Sequence, residues 1–120
     1  MPLNFADFQK YAKPREHQDI EVSELGTVRI LKLNAQDRLA LLLRFGKEDG
    51  QELSGDKKAE FCFALVANSV VDDSGAKVFD SAEGTEVLNS LDPEAIMAIS
   101  EKALAMNNFA GDAKQDAKKN

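Results

Sequence analysis

Lys58-Ala59-Glu60-Phe61-Cys62-Phe63-Ala64-Leu65-Val66-Ala67-Asn68-Ser69-Val70-Val71 is the stretch on which the fold turns. It is long enough for a helix, and Ala59, Phe61, Cys62, Phe63, Ala64, Leu65, Val66, Ala67, Val70 and Val71 leave it almost no polar side. A helix that is apolar nearly all round has to be covered on most faces. The cover is either the rest of this chain, making 58–71 a central core helix, or in part a second polypeptide.

Upstream, the period changes. Ile20 and Val22 alternate with Asp19, Glu21 and Ser23, Leu25-Gly26-Thr27 supplies a turn, and Val28 to Leu33 resumes β-branched character, which predicts a β-hairpin. Asn34, with Asp37 three residues on, reads as an N-cap and a first-turn acid for a helix over 35–45. Leu39, Leu42 and Leu43 give that helix its apolar stripe, Leu41 and Phe45 widen it, and Gly46 ends it. Residues 47–56, with Gly50 and Gly55 among charges, read as a solvated loop.

Downstream of the apolar stretch, Asp72-Asp73-Ser74-Gly75 is a turn and Ala76 to Phe79 a short extended piece. Asp80 and Glu83 have the spacing of a capping box for a helix to Leu91, which Gly84 weakens. Asp92-Pro93 starts the last helix, with Asp92 as N-cap and Pro93 at N1. Ile96, Ile99, Ala103 and Met106 form its inner stripe, and Asn107-Asn108 ends it. The fold class is therefore α+β, mainly α: an N-terminal β-hairpin followed by about four helices. Residues 1–18 are expected to be a flexible arm carrying a short amphipathic helix with Phe5, Phe8 and Tyr11, 19–109 a single domain, and 110–120 a disordered tail.

Composition narrows the function. With a formal net charge of −6, the 120-residue chain lacks the cationic surplus on which general phosphate binding depends, so nucleic acid is not an expected partner. No apolar run approaches the ~20 residues needed to span a bilayer, and no signal peptide opens the chain, so a cytoplasmic protein without membrane attachment is expected. The single cysteine, Cys62, has no internal partner and reads as a buried, inert thiol between Phe61 and Phe63.

Reactive constellations are scarce. Asp72, Ser74, Val78, Asp80 and Glu83 fit part of a calcium-loop frame, but Ala76 stands where an oxygen is needed and Lys77 replaces the turn glycine. His17 and Cys62 lack an orienting third group, and the glycines at 46, 50 and 55 lack the ending of a phosphate-binding loop. No catalytic residue, cofactor or metal is expected. The expected work is binding other proteins, with Phe5, Phe8, Tyr11, Phe61, Phe63 and Val66 as candidate contact residues.

The ordered elements also resemble a family, the tail assembly chaperones of long-tailed bacteriophages. The resemblance lies in the Glu21–Ile30 hairpin, the helix start Leu33-Asn34-Ala35-Gln36-Asp37-Arg38, and the Val71–Phe79 turn after an apolar helix. It continues through Leu91-Asp92-Pro93, Leu104 to Asn107, and the closing Lys118-Lys119-Asn120, so that it covers residues 19–120. These are short, degenerate motifs that count as a set. The resemblance implies a non-enzymatic assembly factor in the host cytoplasm, absent from the finished particle, that coats and solubilises the tape measure protein and helps recruit tail tube subunits. It also implies a longer product made by ribosomal frameshifting, for which the codons of Ala117-Lys118-Lys119 are a candidate slippery site. Self-association is compatible with it. A structural minor tail or connector protein and a small helical adaptor are the alternative expectations.

Overall fold

The computed structural model describes residues 1–12, 15–45 and 55–109. In chain order the elements are α1 (Phe5–Tyr11), β1 (His17–Val22), β2 (Gly26–Leu31), α2 (Ala35–Phe45), α3 (Gly55–Ser69), β3 (Val70–Val71), α4 (Ala82–Asn89) and α5 (Pro93–Met106). The three strands form one antiparallel sheet in the order β1-β2-β3. This is the α+β, mainly helical class that the sequence predicts. The end of the α2 helix signal at Gly46, most of the 47–56 loop and the 110–120 tail lie outside the described residues.

The decisive stretch divides between two kinds of structure. Its helix starts earlier than expected, at Gly55, and stops at Ser69; Val70 and Val71 then pass into β3 with no intervening loop. Val70 pairs with Ile30 and Val71 with Arg29, so two β-branched residues at the end of an apolar helix add a strand to the hairpin. The chain itself supplies the cover for α3. Phe61, Leu65, Val66 and Ser69 are buried, α5 and α2 pack along the helix, and α4 touches it.

The hairpin forms as expected but turns two residues earlier, through Ser23-Glu24-Leu25, with the Leu25 N–H donating to the Val22 carbonyl at 3.0 Å. Glu24 takes a left-handed φ of 72° and Gly26 one of 104°, so glycine occupies one of the two positions where a Cβ is costly. β1 starts at His17, within the segment assigned to the arm. Asp19 and Arg29 stand opposite each other across the strands and form a bidentate ion pair, 2.8 and 3.1 Å. The hydrogen bonds from Arg29 hold the Asp19 carboxyl below its ordinary pKa.

Two helix signals are displaced. In α2 the core takes Leu41 and Phe45, with Leu42 half-buried, while Leu39 and Leu43 face outward at 58% and 84% exposure. The expected Leu39–Leu42–Leu43 stripe is thus out of phase, because the ring of Phe45 packs edge-on against Phe61 at 5.3 Å and fixes the rotation of the helix. In α4 the cap is Ser81, whose hydroxyl accepts from the Gly84 N–H at 2.9 Å, and the Asp80–Glu83 box does not form. Gly84 is there for space: a Cβ on it would lie 2.8 Å from the Cα of Phe79.

Asn34 does cap α2, its Oδ1 accepting from the Asp37 N–H at 2.7 Å. Pro93 opens α5 as expected, although Asp92 makes no side-chain cap bond. Ile96, Ile99, Ala103 and Met106 are all buried.

Candidate functional site

Asn107 is the best-connected polar residue of the interior. Its side chain is buried, with Oδ1 accepting from the Leu33 N–H at 3.0 Å and Nδ2 donating to the Ala103 carbonyl at 2.8 Å. Arg38 donates to the Asn107 carbonyl and lays its guanidinium 4.4 Å from the ring centre of Phe109, which itself packs edge-on against Phe61. These contacts tie the β2–α2 junction to the C-terminal end of α5. They are structural. Leu33, Arg38 and Asn107 belong to the short motifs singled out in the sequence, but their mutual contact was not visible there.

A second polar clamp joins α2, α3 and the loop after β3. The Lys77 ammonium lies 3.0 Å from Asp37 Oδ2 and donates to Asn68 Oδ1 at 2.9 Å, with both charged side chains largely covered. Asp37 Oδ2 makes no aligned hydrogen bond, but an opposite charge at that distance offsets its burial. Ser69 Oγ is buried without a partner among the described residues.

The first acid of the calcium-like frame closes a turn. Asp72 Oδ1 accepts from the Ser74 N–H at 2.8 Å, the Ser74 hydroxyl at 2.6 Å and the Ala76 N–H at 3.1 Å. The Ser74 hydroxyl, then the Ala76 and Ser74 amides, hold the Asp72 carboxyl below its ordinary pKa. Of the expected extended piece 76–79, only Lys77 pairs, with Val71. Among the described residues, no group of three or more His, Cys, Asp or Glu is placed to hold a metal ion. None of the described helices is long and apolar enough to cross a membrane.

The candidate contact residues separate into two groups. Phe61 and Val66 lie in the core at 6% and 0% exposure, so neither is on a surface that a partner can reach without opening the fold. That corrects their assignment: α2 and α5 cover them. Cys62 is half-buried, more open than the inert core thiol expected. Phe63 is half-buried and borders an open groove between α2, α3 and α4. Phe5, Phe8 and Tyr11 are all exposed on α1, a helix with no buried residue. The structure does not bring α1 to Phe63.

The sequence reading missed Leu39 and Leu43 as surface residues. They stand four apart, hence on the same side of α2, and present an aliphatic patch to solvent. Four leucines in five positions were the available signal, since one helix face cannot hold them all. What the surface offers is apolar contact: aromatic on α1, aliphatic on α2, and a groove at Phe63. Contact of that kind suits recognition of another polypeptide.

No protein-family model matches the chain, and neither does any curated protein sequence. Among solved structures, the fold is similar to that of the bacteriophage HK97 tail assembly chaperone, with a TM-score of 0.53. The similarity covers 77% of this chain and 85% of that one, at 19% sequence identity. At that identity it is a likeness of fold.

Proposed function

We propose that this protein is a tail assembly chaperone of a long-tailed bacteriophage or prophage. It binds the tape measure protein, keeps it soluble in the host cytoplasm and helps recruit tail tube subunits, without remaining in the finished particle. The observation that carries this reading is the fold shared with the HK97 tail assembly chaperone over most of both chains. The ordered sequence motifs support it from a separate direction.

The surface chemistry agrees. A long helical client presents apolar stripes that would otherwise aggregate, and a protein that shields them needs exposed apolar side chains on a soluble, charged body. Leu39 and Leu43, Phe63, and the α1 aromatics supply the first, and a net charge of −6 supplies the second. The reading assigns no reaction to the protein and no frameshifted product is needed for it.

Co-expression with the long helical protein encoded by the neighbouring gene is the test. The client is expected to be insoluble alone, and soluble and co-purifying with many copies of this chain when both are made. A client that stays insoluble, or a neighbouring gene without long helical repeats, refutes the reading. Recovery of this chain from purified particles would instead assign it to the virion as a minor tail or connector protein.

A further inference from the structure

β1 is an edge strand, since the order is β1-β2-β3 and β2 occupies its other side. The Lys32 N–H donates to the Glu16 carbonyl at 2.8 Å, which sets the phase of the antiparallel ladder. Hydrogen-bonded and non-bonded pairs alternate along such a ladder, so Gln18, Ile20 and Val22 turn their amides and carbonyls to β2, while His17, Asp19 and Glu21 turn theirs away from it. All three are exposed, and among the described residues none of their backbone groups is engaged outside the hairpin. The strand keeps its register with β2 from His17 to Val22 without a bulge and contains no proline, so it lacks two of the devices that stop an edge from accepting another strand.

The turn end of that edge opens onto a groove of about 260 Å³ shared with the first turns of α5. Val22, Ala95 and Ala98 give its apolar part, and its charged lining is Glu21, Glu24, Asp92 and Glu94, four carboxylates with no lysine or arginine among them. Arg29, the cation across from Asp19, is already paired with it. These acids select among possible occupants. A strand from a second copy would bring its own Asp19 and Glu21 against them, and like charges set opposite one another destabilise a strand pair. The chain's own residues 110–120 mix Lys114, Lys118 and Lys119 with Asp112 and Asp116, and their glycine, alanines, lysines and aspartates are poor strand formers.

We propose that the His17–Val22 edge receives an extended segment of another protein as a fourth strand, one in which β-branched or aromatic residues alternate with lysine or arginine. The outward N–H and C=O groups of His17, Asp19 and Glu21 supply the pairing, enough to align a segment of about six residues. The carboxylates beside them supply the choice, attracting a cationic strand and repelling an acidic one. The edge makes the site, and the acids only decide what fills it. It lies on a different element from Leu39 and Leu43, so a helical client and an added strand can be held by one copy together. The proposal does not rest on the chaperone reading.

The full-length chain, labelled for NMR, is titrated with a capped hexapeptide of alternating lysine and valine. The amides of His17, Asp19 and Glu21 are expected to shift, and at saturation to exchange with deuterium about fivefold more slowly or better. The same peptide with glutamate in place of lysine is expected to bind about tenfold more weakly or worse. So is the lysine peptide N-methylated at every residue, which keeps its charge and loses its donors. Glu21→Gln with Glu24→Gln, both at exposed positions, is expected to keep the melting of the parent and to weaken the lysine peptide about threefold or more. An absence of shifts along β1 overturns the proposal, and so does equal binding of the glutamate or the N-methylated peptide, or an unchanged affinity in the glutamine variant. Binding that appears only after Lys114, Lys118 and Lys119 are changed to glutamine would give the edge to this chain's own tail and overturns it as well.

Discussion

Replacing Asn107 by alanine tests the tie between the first helix of the core and the last. The backbone there has φ −98° and ψ 8°, a conformation alanine adopts without strain, so the effect is that of the lost amide group alone. The Ala103 carbonyl keeps a partner, because the Asn107 N–H also donates to it at 3.1 Å. The Leu33 N–H does not; its residue is 7% exposed and the Asn107 Oδ1 is the acceptor it loses. An unsatisfied buried donor costs about 1–3 kcal/mol, and the lost side-chain hydrogen bond to Ala103 adds about 1 kcal/mol, for a total of about 2–4 kcal/mol. In urea, with a slope of about 1.3 kcal/mol per molar, the midpoint should fall by about 1.5–3 M at unchanged slope. A fall of less than about 0.4 M would show that the Leu33 N–H finds water or another partner, and would refute the assignment of Asn107 as the tie.

Other outcomes are expected at four places. Gly84→Ala should destabilise by about 1–3 kcal/mol in chemical denaturation despite alanine's better helix propensity, because the added methyl meets the Phe79 backbone at 2.8 Å; a more stable variant would mean that α4 shifts freely. Leu65→Ala, at a side chain with 0% exposure, should cost about 2–5 kcal/mol in the same assay, whereas Leu43→Ala, at 84%, should stay within about 0.5 kcal/mol. Equal losses at the two positions would contradict the phase of α2 or α3. An NMR titration should place the Asp72 carboxyl below the ordinary aspartate midpoint, and Ser74→Ala should move it up. Since the folded pKa is the depressed one, the stability linked to Asp72 is present above the unfolded pKa and is lost as pH falls through the folded value. Leu39→Glu with Leu43→Glu should leave the fold intact and reduce recovery of the client in co-expression; undiminished recovery would remove this patch from the binding surface.

The architecture could be read from the sequence wherever local chemistry decided it. Asn34 and Asp37 marked the start of α2, Pro93 the start of α5, and alternation marked the hairpin, because caps and strand period depend on neighbours in the chain. The rotation of α2 could not be read, since Leu39, Leu41, Leu42, Leu43 and Phe45 are compatible with two faces. The choice falls to Phe61, which is supplied by another helix. Strand β3 was hidden for a related reason: Val70 and Val71 extend an apolar helix pattern, and only the open edge of β2 turns them into a strand. At the candidate site, Phe5, Phe8 and Tyr11 were legible as an amphipathic set. Phe61 and Val66 were misplaced because a helix apolar all round gives no sign of which side its own domain covers.

The direct passage from Ser69 into Val70 makes the helical layer and the sheet neighbours along a single backbone, with no slack segment to let one loosen while the other holds. Amides of α3 and those of β2 should therefore exchange with deuterium at a common slow rate, set by opening of the whole body. α1, closed by its own Asn4–Asp7 pair and without a buried residue, is free of that constraint, and its amides should trade their protons well before those of the body that carries it.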